Sequence, residues 1–87
     1  METVSVITVQ VLFFASIREV LSKSDQRIEL KEGSTCEDLQ AMLCKQYPSL
    51  DFVKNRVSIA VNKVYVPPST VLKDKDIVAF IPPISGG

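Results

Sequence analysis

The sequence predicts an α+β domain of two layers, in which one main helix crosses a mixed β-sheet. Three observations predict it. Apolar residues alternate with period two near both ends of the chain, from Val4 to Phe14 and from Ile77 to Ile81. One long stretch with helical spacing, Ser34 to Tyr47, lies between them. The connecting pieces are short and rich in turn residues, so strands and helix must pack as layers around a shared core. Eighty-seven residues suit one domain, here residues 1–81, followed by an extended tail over residues 82–87. A chain this short buries about 60–65% of its extended surface, enough for a thin core without staples.

The first strand spans roughly Val4 to Phe14. Val9, Val11 and Phe13 alternate with Gln10, Leu12 and Phe14, the period of a pleated strand. Both faces are apolar at its end, with Phe13 on one and Leu12 and Phe14 on the other. Ser16 and Glu19 have the spacing of a capping box, and a short helix to about Leu21 follows. Ser22 to Asp25 reads as a polar loop. Gln26 to Leu30 alternates again and forms a second strand, antiparallel to the first because so little chain joins them. Lys31-Glu32-Gly33 is a turn. Ser34 and Glu37 make a second capping box that opens the main helix, and Pro48 stops it after Tyr47. Cys36, Leu39, Leu43 and Tyr47 share one helical face, with Met42 at its edge. Glu37, Gln40 and Lys45 point elsewhere.

Leu50 to Asn55 adds one helical turn. Val57 to Val61 is a strand, and Asn62-Lys63 a tight hairpin turn in which Asn tolerates positive φ. Val64 to Val66 is the short return strand. Pro67-Pro68 ends it and protects an edge. Lys73 to Asp76 is a charged turn, and Ile77 to Ile81 is the last strand. The order β, short helix, β, long helix, β, β, β is that of a β-grasp, ubiquitin-like fold.

Composition excludes several functions. Ten basic residues balance ten acidic ones, so nothing favours nucleic acid or an anionic membrane as partner. No apolar run approaches the roughly 20 residues of a membrane span. The start, Met1 to Ser5, has no basic segment and does not read as a secretory signal. The absence of histidine removes the commonest general base and metal ligand, and no metal site is expected. Gly33, Gly86 and Gly87 are the only glycines, which leaves no phosphate-cradling loop.

Cys36 sits near a helix N-terminus, where the dipole can lower a thiol pKa. It also falls on the apolar stripe and lacks a His partner, so a core role is expected. Cys44 lies off that stripe. The two are about 12 Å apart along a helix, beyond the ~7 Å reach of a disulfide. A reducing compartment, the cytosol, is the expected setting. Asp74 and Asp76 read as solvated turn charges rather than metal ligands.

The tail carries more information. Phe80-Ile81-Pro82-Pro83-Ile84 is apolar and stiffened by two prolines, and Ser85-Gly86-Gly87 follows. No side-chain charge occurs after Asp76. Such a thin, uncharged probe enters a narrow channel without desolvating a side-chain charge. From Pro82 to Gly87 it extends about 20 Å, with the Gly87 carboxylate as its reactive group. A frayed tail without function is the competing reading. Strand parity also places Phe14, Ile81 and Tyr65 on the face away from Phe13 and Phe80. They form either an exposed patch at the base of the tail or an apolar cluster beneath a loop or the short helix. From the residues alone, Gly87 suits a group carrier, a modifier conjugated to lysines, or a module that docks without chemistry.

Val11-Leu12-Phe13-Phe14-Ala15, Val61-Asn62, Leu72-Lys73-Asp74-Lys75-Asp76 and Val78 through Gly87 together resemble the small, sulfur-carrier subunits of molybdopterin synthase. The resemblance covers essentially the whole chain, and its specific part is the Pro-Pro-x-x-Gly-Gly ending. The thiamine and tRNA-thiolation sulfur carriers share the fold and terminal glycines but not the two prolines. The resemblance implies that an ATP-dependent adenylyltransferase and sulfurtransferase convert Gly87 through a glycyl adenylate to a thiocarboxylate. It implies that the tail then enters the large synthase subunit. There its sulfur attacks cyclic pyranopterin monophosphate, and two transfers build the molybdopterin dithiolene of the molybdenum cofactor. It further implies a heterotetramer of two small and two large subunits. By the same resemblance Phe14, Tyr65, Ile81, Pro82, Pro83, Ile84 and Ser85 are expected to face the partner, and Gly86 to provide clearance for the tail. No cofactor is bound by this chain in that scheme, and ATP belongs to the activating enzyme.

Overall fold

Alternation in the sequence becomes two-sidedness in the sheet. In the computed structural model, which describes residues 5–14, 18–19, 21–48 and 57–81, strand β1 runs Val6–Phe13. Ile7, Val9, Val11 and Phe13 all face the core from it. Strand β2, Asp25–Lys31, pairs with it antiparallel. Helix α1 is Cys36–Gln46, followed by β3, Ser58–Val61, β4, Val64–Val66, and β5, Ile77–Ile81. The sheet order is β2-β1-β5-β3-β4. β1 and β5, far apart in sequence, are parallel neighbours at its centre, while every other pair is antiparallel. This is the mixed sheet and single main helix of the expected β-grasp fold.

One face of the sheet and one face of α1 merge into a single apolar cluster. Phe13 and Phe80, partners in the β1–β5 register, are 2% and 1% exposed and form its centre. Full burial of a Phe is worth roughly 1.5–3 kcal/mol over leaving it in water. Both edges of the sheet are guarded. β2 alternates Asp25, Arg27, Glu29 and Lys31 on its exposed positions, and β4 is three residues long before Pro67. The turn between β3 and β4 holds Asn62 at φ 51° and Lys63 at φ 73°, the doubly positive pair that a two-residue hairpin requires.

The helix start departs from expectation by one residue. The capping box is Thr35 with Asp38, not Ser34 with Glu37: Asp38 N donates to Thr35 Oγ1 (3.2 Å) and Thr35 N donates to Asp38 Oδ2 (2.9 Å). Ser34 is engaged elsewhere. Its N–H closes the Gly33 turn onto Lys31 O (3.1 Å), and its carbonyl accepts from Leu72 N (2.8 Å). Thr35 bridges Val71 and stays extended, so helical geometry begins at Cys36.

The buried helix face is also wider than expected. Gln40 and Cys44, assigned to other faces, are 6% and 8% exposed. Cys36, Leu39, Gln40, Leu43 and Cys44 follow the i, i+3, i+4, i+7, i+8 spacing of a stripe that covers a sheet, rather than a narrow seam. Tyr47 closes the stripe half-buried. Its hydroxyl donates to Gln26 Oε1 (2.8 Å), and Lys23 Nζ donates to the same hydroxyl (3.3 Å), which ties the helix end to β2.

Arg18, Glu19 and Leu21 are helical, and Ser22 N donates to Arg18 O (2.9 Å). The Ser16 cap, the turn at Leu50 to Asn55 and the tail at Pro82 to Gly87 lie outside the described residues. Among those described, no helix is long and apolar enough to cross a membrane.

Cys36 and Cys44 are both buried, and no disulfide joins them. Burial pushes the Cys36 thiol up from its ordinary range, and the Asp76 charge adds to the rise despite a backbone hydrogen bond that opposes it. Its position at the helix start therefore yields no reactive thiolate. Native protein will alkylate at both cysteines far more slowly than protein in denaturant, as followed by mass; rapid native labelling would contradict the packing. Thr35→Ala will lower unfolding free energy by about 1 kcal/mol in urea titrations, the usual cost of a lost cap.

Candidate functional site: an apolar groove at the root of the tail

Part of the outward face of the central strands is apolar too, and α1 packs against the opposite face. Strand registers place Leu12 beside Ala79, Ala79 beside Ala60, and Ala60 beside Tyr65 in one row across four strands. One step towards the end of β5, Phe14 and Ile81 follow Phe13 and Phe80 in the β1–β5 register. Phe14 is 41% exposed and Tyr65 68% exposed, while Ile81 is half-buried. Parity thus holds for all three expected patch residues. All three line one groove, in which Phe14 and Tyr65 are exposed.

The groove measures about 490 Å³. Its floor is made of small side chains, Ala60 and Ala79, between the larger Leu12 and Phe14 on one side and Tyr65 on the other. Ile77 and Lys63 line its far end, opposite Ile81. Among the described residues that line it, Lys63 is the one that carries a charge. Docking an apolar partner here therefore desolvates few polar groups. Ala60, Ala79 and Ile77 were not singled out from sequence. A lone alanine carries no signal, and its role as a floor appears only when its strand neighbours are known.

The neighbouring part of the same sheet face is polar. A second depression of about 530 Å³ is lined by Thr8, Gln10, Arg27, Asp74 and Lys75, and meets the groove at Ile77. Asp74 and Asp76 are not simply solvated turn charges here. Asp74 Oδ1 accepts from Thr8 N (2.8 Å), and Asp76 accepts from Lys73 N (2.8 Å) and Asn62 Nδ2 (3.0 Å). Both carboxylates replace backbone partners that the turn lacks. Among the described residues, no three His, Cys, Asp or Glu side chains gather as a metal site.

β5 delivers the chain to the edge of this groove. Ile81 is both a groove residue and the last residue of the strand. The expected tail residues Pro82, Pro83, Ile84, Ser85, Gly86 and Gly87 begin there, outside the described residues.

Comparison with known proteins agrees with this arrangement. Residues 11–87 match the ThiS family. A molybdopterin synthase sulfur carrier subunit of Chlamydomonas reinhardtii is 44% identical over 81 residues, spanning 91% of this chain and 98% of that protein. Among solved structures, a putative molybdopterin converting factor subunit 1 from Pyrococcus furiosus superposes with a TM-score of 0.80 at 31% identity, covering 90% of this chain and 99% of that one. A chain in the complex of subunits 1 and 2 of molybdopterin-converting factor from Helicobacter pylori gives 0.69 at 27% identity, covering 93% and 100%. By a family match that runs through Gly87 and likeness over nearly its whole length, this chain belongs to the ThiS family, among the molybdopterin synthase sulfur carrier subunits.

Proposed function

We propose that this chain is the sulfur-carrier subunit of a molybdopterin synthase, with Gly87 as the carrying residue and the apolar groove as its docking surface. The observation that carries this reading is continuity. An uncovered apolar groove ends at Ile81, where a neutral, proline-containing tail of about 20 Å begins. Relatives named as sulfur carriers align along nearly the full chain, and the Helicobacter pylori relative is solved in complex with subunit 2.

The chemistry asks little of this chain. A carboxylate is a poor electrophile, and adenylation of Gly87 by an ATP-dependent activating enzyme supplies AMP as leaving group. A sulfurtransferase then leaves a thiocarboxylate, whose sulfur is anionic at neutral pH and strongly nucleophilic. The tail carries that sulfur into the large subunit, where it attacks cyclic pyranopterin monophosphate. Hydrolysis returns the Gly87 carboxylate. This chain contributes no acid, base or cofactor in the scheme; residues that grip the pterin phosphate belong to the large subunit, and the assembly is a cytosolic heterotetramer of two small and two large subunits.

The groove and the tail have separate tasks. Docking through Phe14, Tyr65 and Ile81 makes tail entry an intramolecular event, with an effective concentration in the millimolar range for a short linker. Pro82 and Pro83 narrow the directions the tail samples, Ile84 and Ser85 continue it, and Gly86 admits it where a Cβ would obstruct.

Incubation with activating enzyme, ATP and a sulfur donor will raise the intact mass by about 16 Da, the exchange of one oxygen for sulfur on Gly87. No gain in a competent system sinks the reading, and a ladder of isopeptide-linked adducts would mark a protein modifier instead. Phe14→Arg will keep the fold by circular dichroism but weaken large-subunit binding by about thirtyfold or more in calorimetry, roughly 2 kcal/mol at an interface centre.

A further inference from the structure

β3 ends at Val61, and the chain turns away at Asn62 and Lys63. β5 begins one position further along the β3–β5 ladder, at Ile77. Backbone from β3 is no longer available to both polar groups of Ile77. Asn62 supplies both partners. Its N–H donates to Ile77 O (2.8 Å), and its side-chain Oδ1 accepts from Ile77 N (3.0 Å). The carboxamide thus adds a rung where the strand has stopped.

The same carboxamide holds Asp76. Asn62 Nδ2 donates to Asp76 Oδ1 (3.0 Å), while Asp76 Oδ2 accepts from Lys73 N (2.8 Å). The Asp76 carbonyl accepts from Gln10 N on β1 (2.9 Å). The side-chain pair therefore joins the β3–β4 turn to the loop that feeds β5, and the Asp76 backbone adds β1.

We propose that Asn62 and Asp76 form a register clasp that positions the root of the sulfur-carrying tail. This rests on the sulfur-carrier reading above. β5 is five residues long and pairs with each neighbour over four. Ile77 is its first residue and Ile81, the tail's root, its last. In so short a strand, loosening one end changes how firmly the other is aimed. Register carries a second consequence, because a slip of one residue exchanges the faces of Phe80 and Ile81. Phe80 in the core resists a full slip, and the clasp resists the fraying that precedes one. Both residues are positioning residues: they act on Gly87 through β5.

The test compares wild type with Asn62→Ala and Asp76→Asn, all charged to the thiocarboxylate and mixed with the large subunit. Asp76→Asn removes one of two acceptor oxygens at nearly constant shape and does not line the groove, so it separates aiming from docking. Measurements are made at a temperature where each variant is folded by near-ultraviolet circular dichroism. Two results are expected. Amide exchange at Ile77 quickens by about tenfold or more, while Val11 at the sheet centre stays protected. Single-turnover sulfur transfer at saturating large subunit slows by about tenfold, since small misplacements of a reacting group are costly, and affinity for the large subunit changes less than the rate. Variants that exchange faster at Ile77 yet transfer at the wild-type rate would overturn the proposal, as would a loss explained wholly by weaker binding. Wild-type protein that transfers no sulfur would overturn the functional reading itself.

Discussion

The parallel pairing of β1 with β5 is the constraint from which the rest of this structure follows. It brings segments from near the two ends of the chain to the centre of the sheet and sets Phe13 beside Phe80 in the core. With that register set, the residues one step on, Phe14 and Ile81, must stand together on the opposite face. The core and the apolar groove are thus two sides of one pairing. A change that disturbed the register would damage both at once.

This coupling explains why the outer face is built as it is. Ala60 and Ala79 are the outward residues of the two strands beneath the groove. Larger side chains there would fill the space that Leu12, Phe14 and Tyr65 enclose. Charge is displaced to the margins, onto β2 and the turn over Lys73 to Asp76. The result is an apolar half that ends at the tail and a polar half that does not. An uncovered patch of this kind is uncommon in an isolated domain, in keeping with the docking role proposed for it.

Local signals located the elements well and their ends less well. The main helix is legible from its stripe and from Pro48, but capping-box spacing places its start at Ser34, one residue before the observed cap. Ser34 and Thr35 are both competent caps, and the choice fell to Thr35 because Leu72 claims the Ser34 carbonyl. The most apolar helical stripe leaves Gln40 and Cys44 off the buried face, whereas a helix lying on a sheet buries a broader one that includes both. Asp74 and Asp76 give no hint in sequence of their long-range partners, since Thr8 and Asn62 are distant along the chain.

By itself, the sequence determined which side of each strand a residue occupies, where the chain turns, and that its last residues carry no side-chain charge. Those are local properties: pleat parity, the positive φ of Asn62, the ring of proline. Only the tertiary structure decided which strands are neighbours and in what register. It therefore decided that Leu12, Ala79, Ala60 and Tyr65 form one row with Phe14 and Ile81 above it. The reason is that strand pairing joins residues dozens of positions apart, and its free energy comes from burying the whole core, which no single segment encodes.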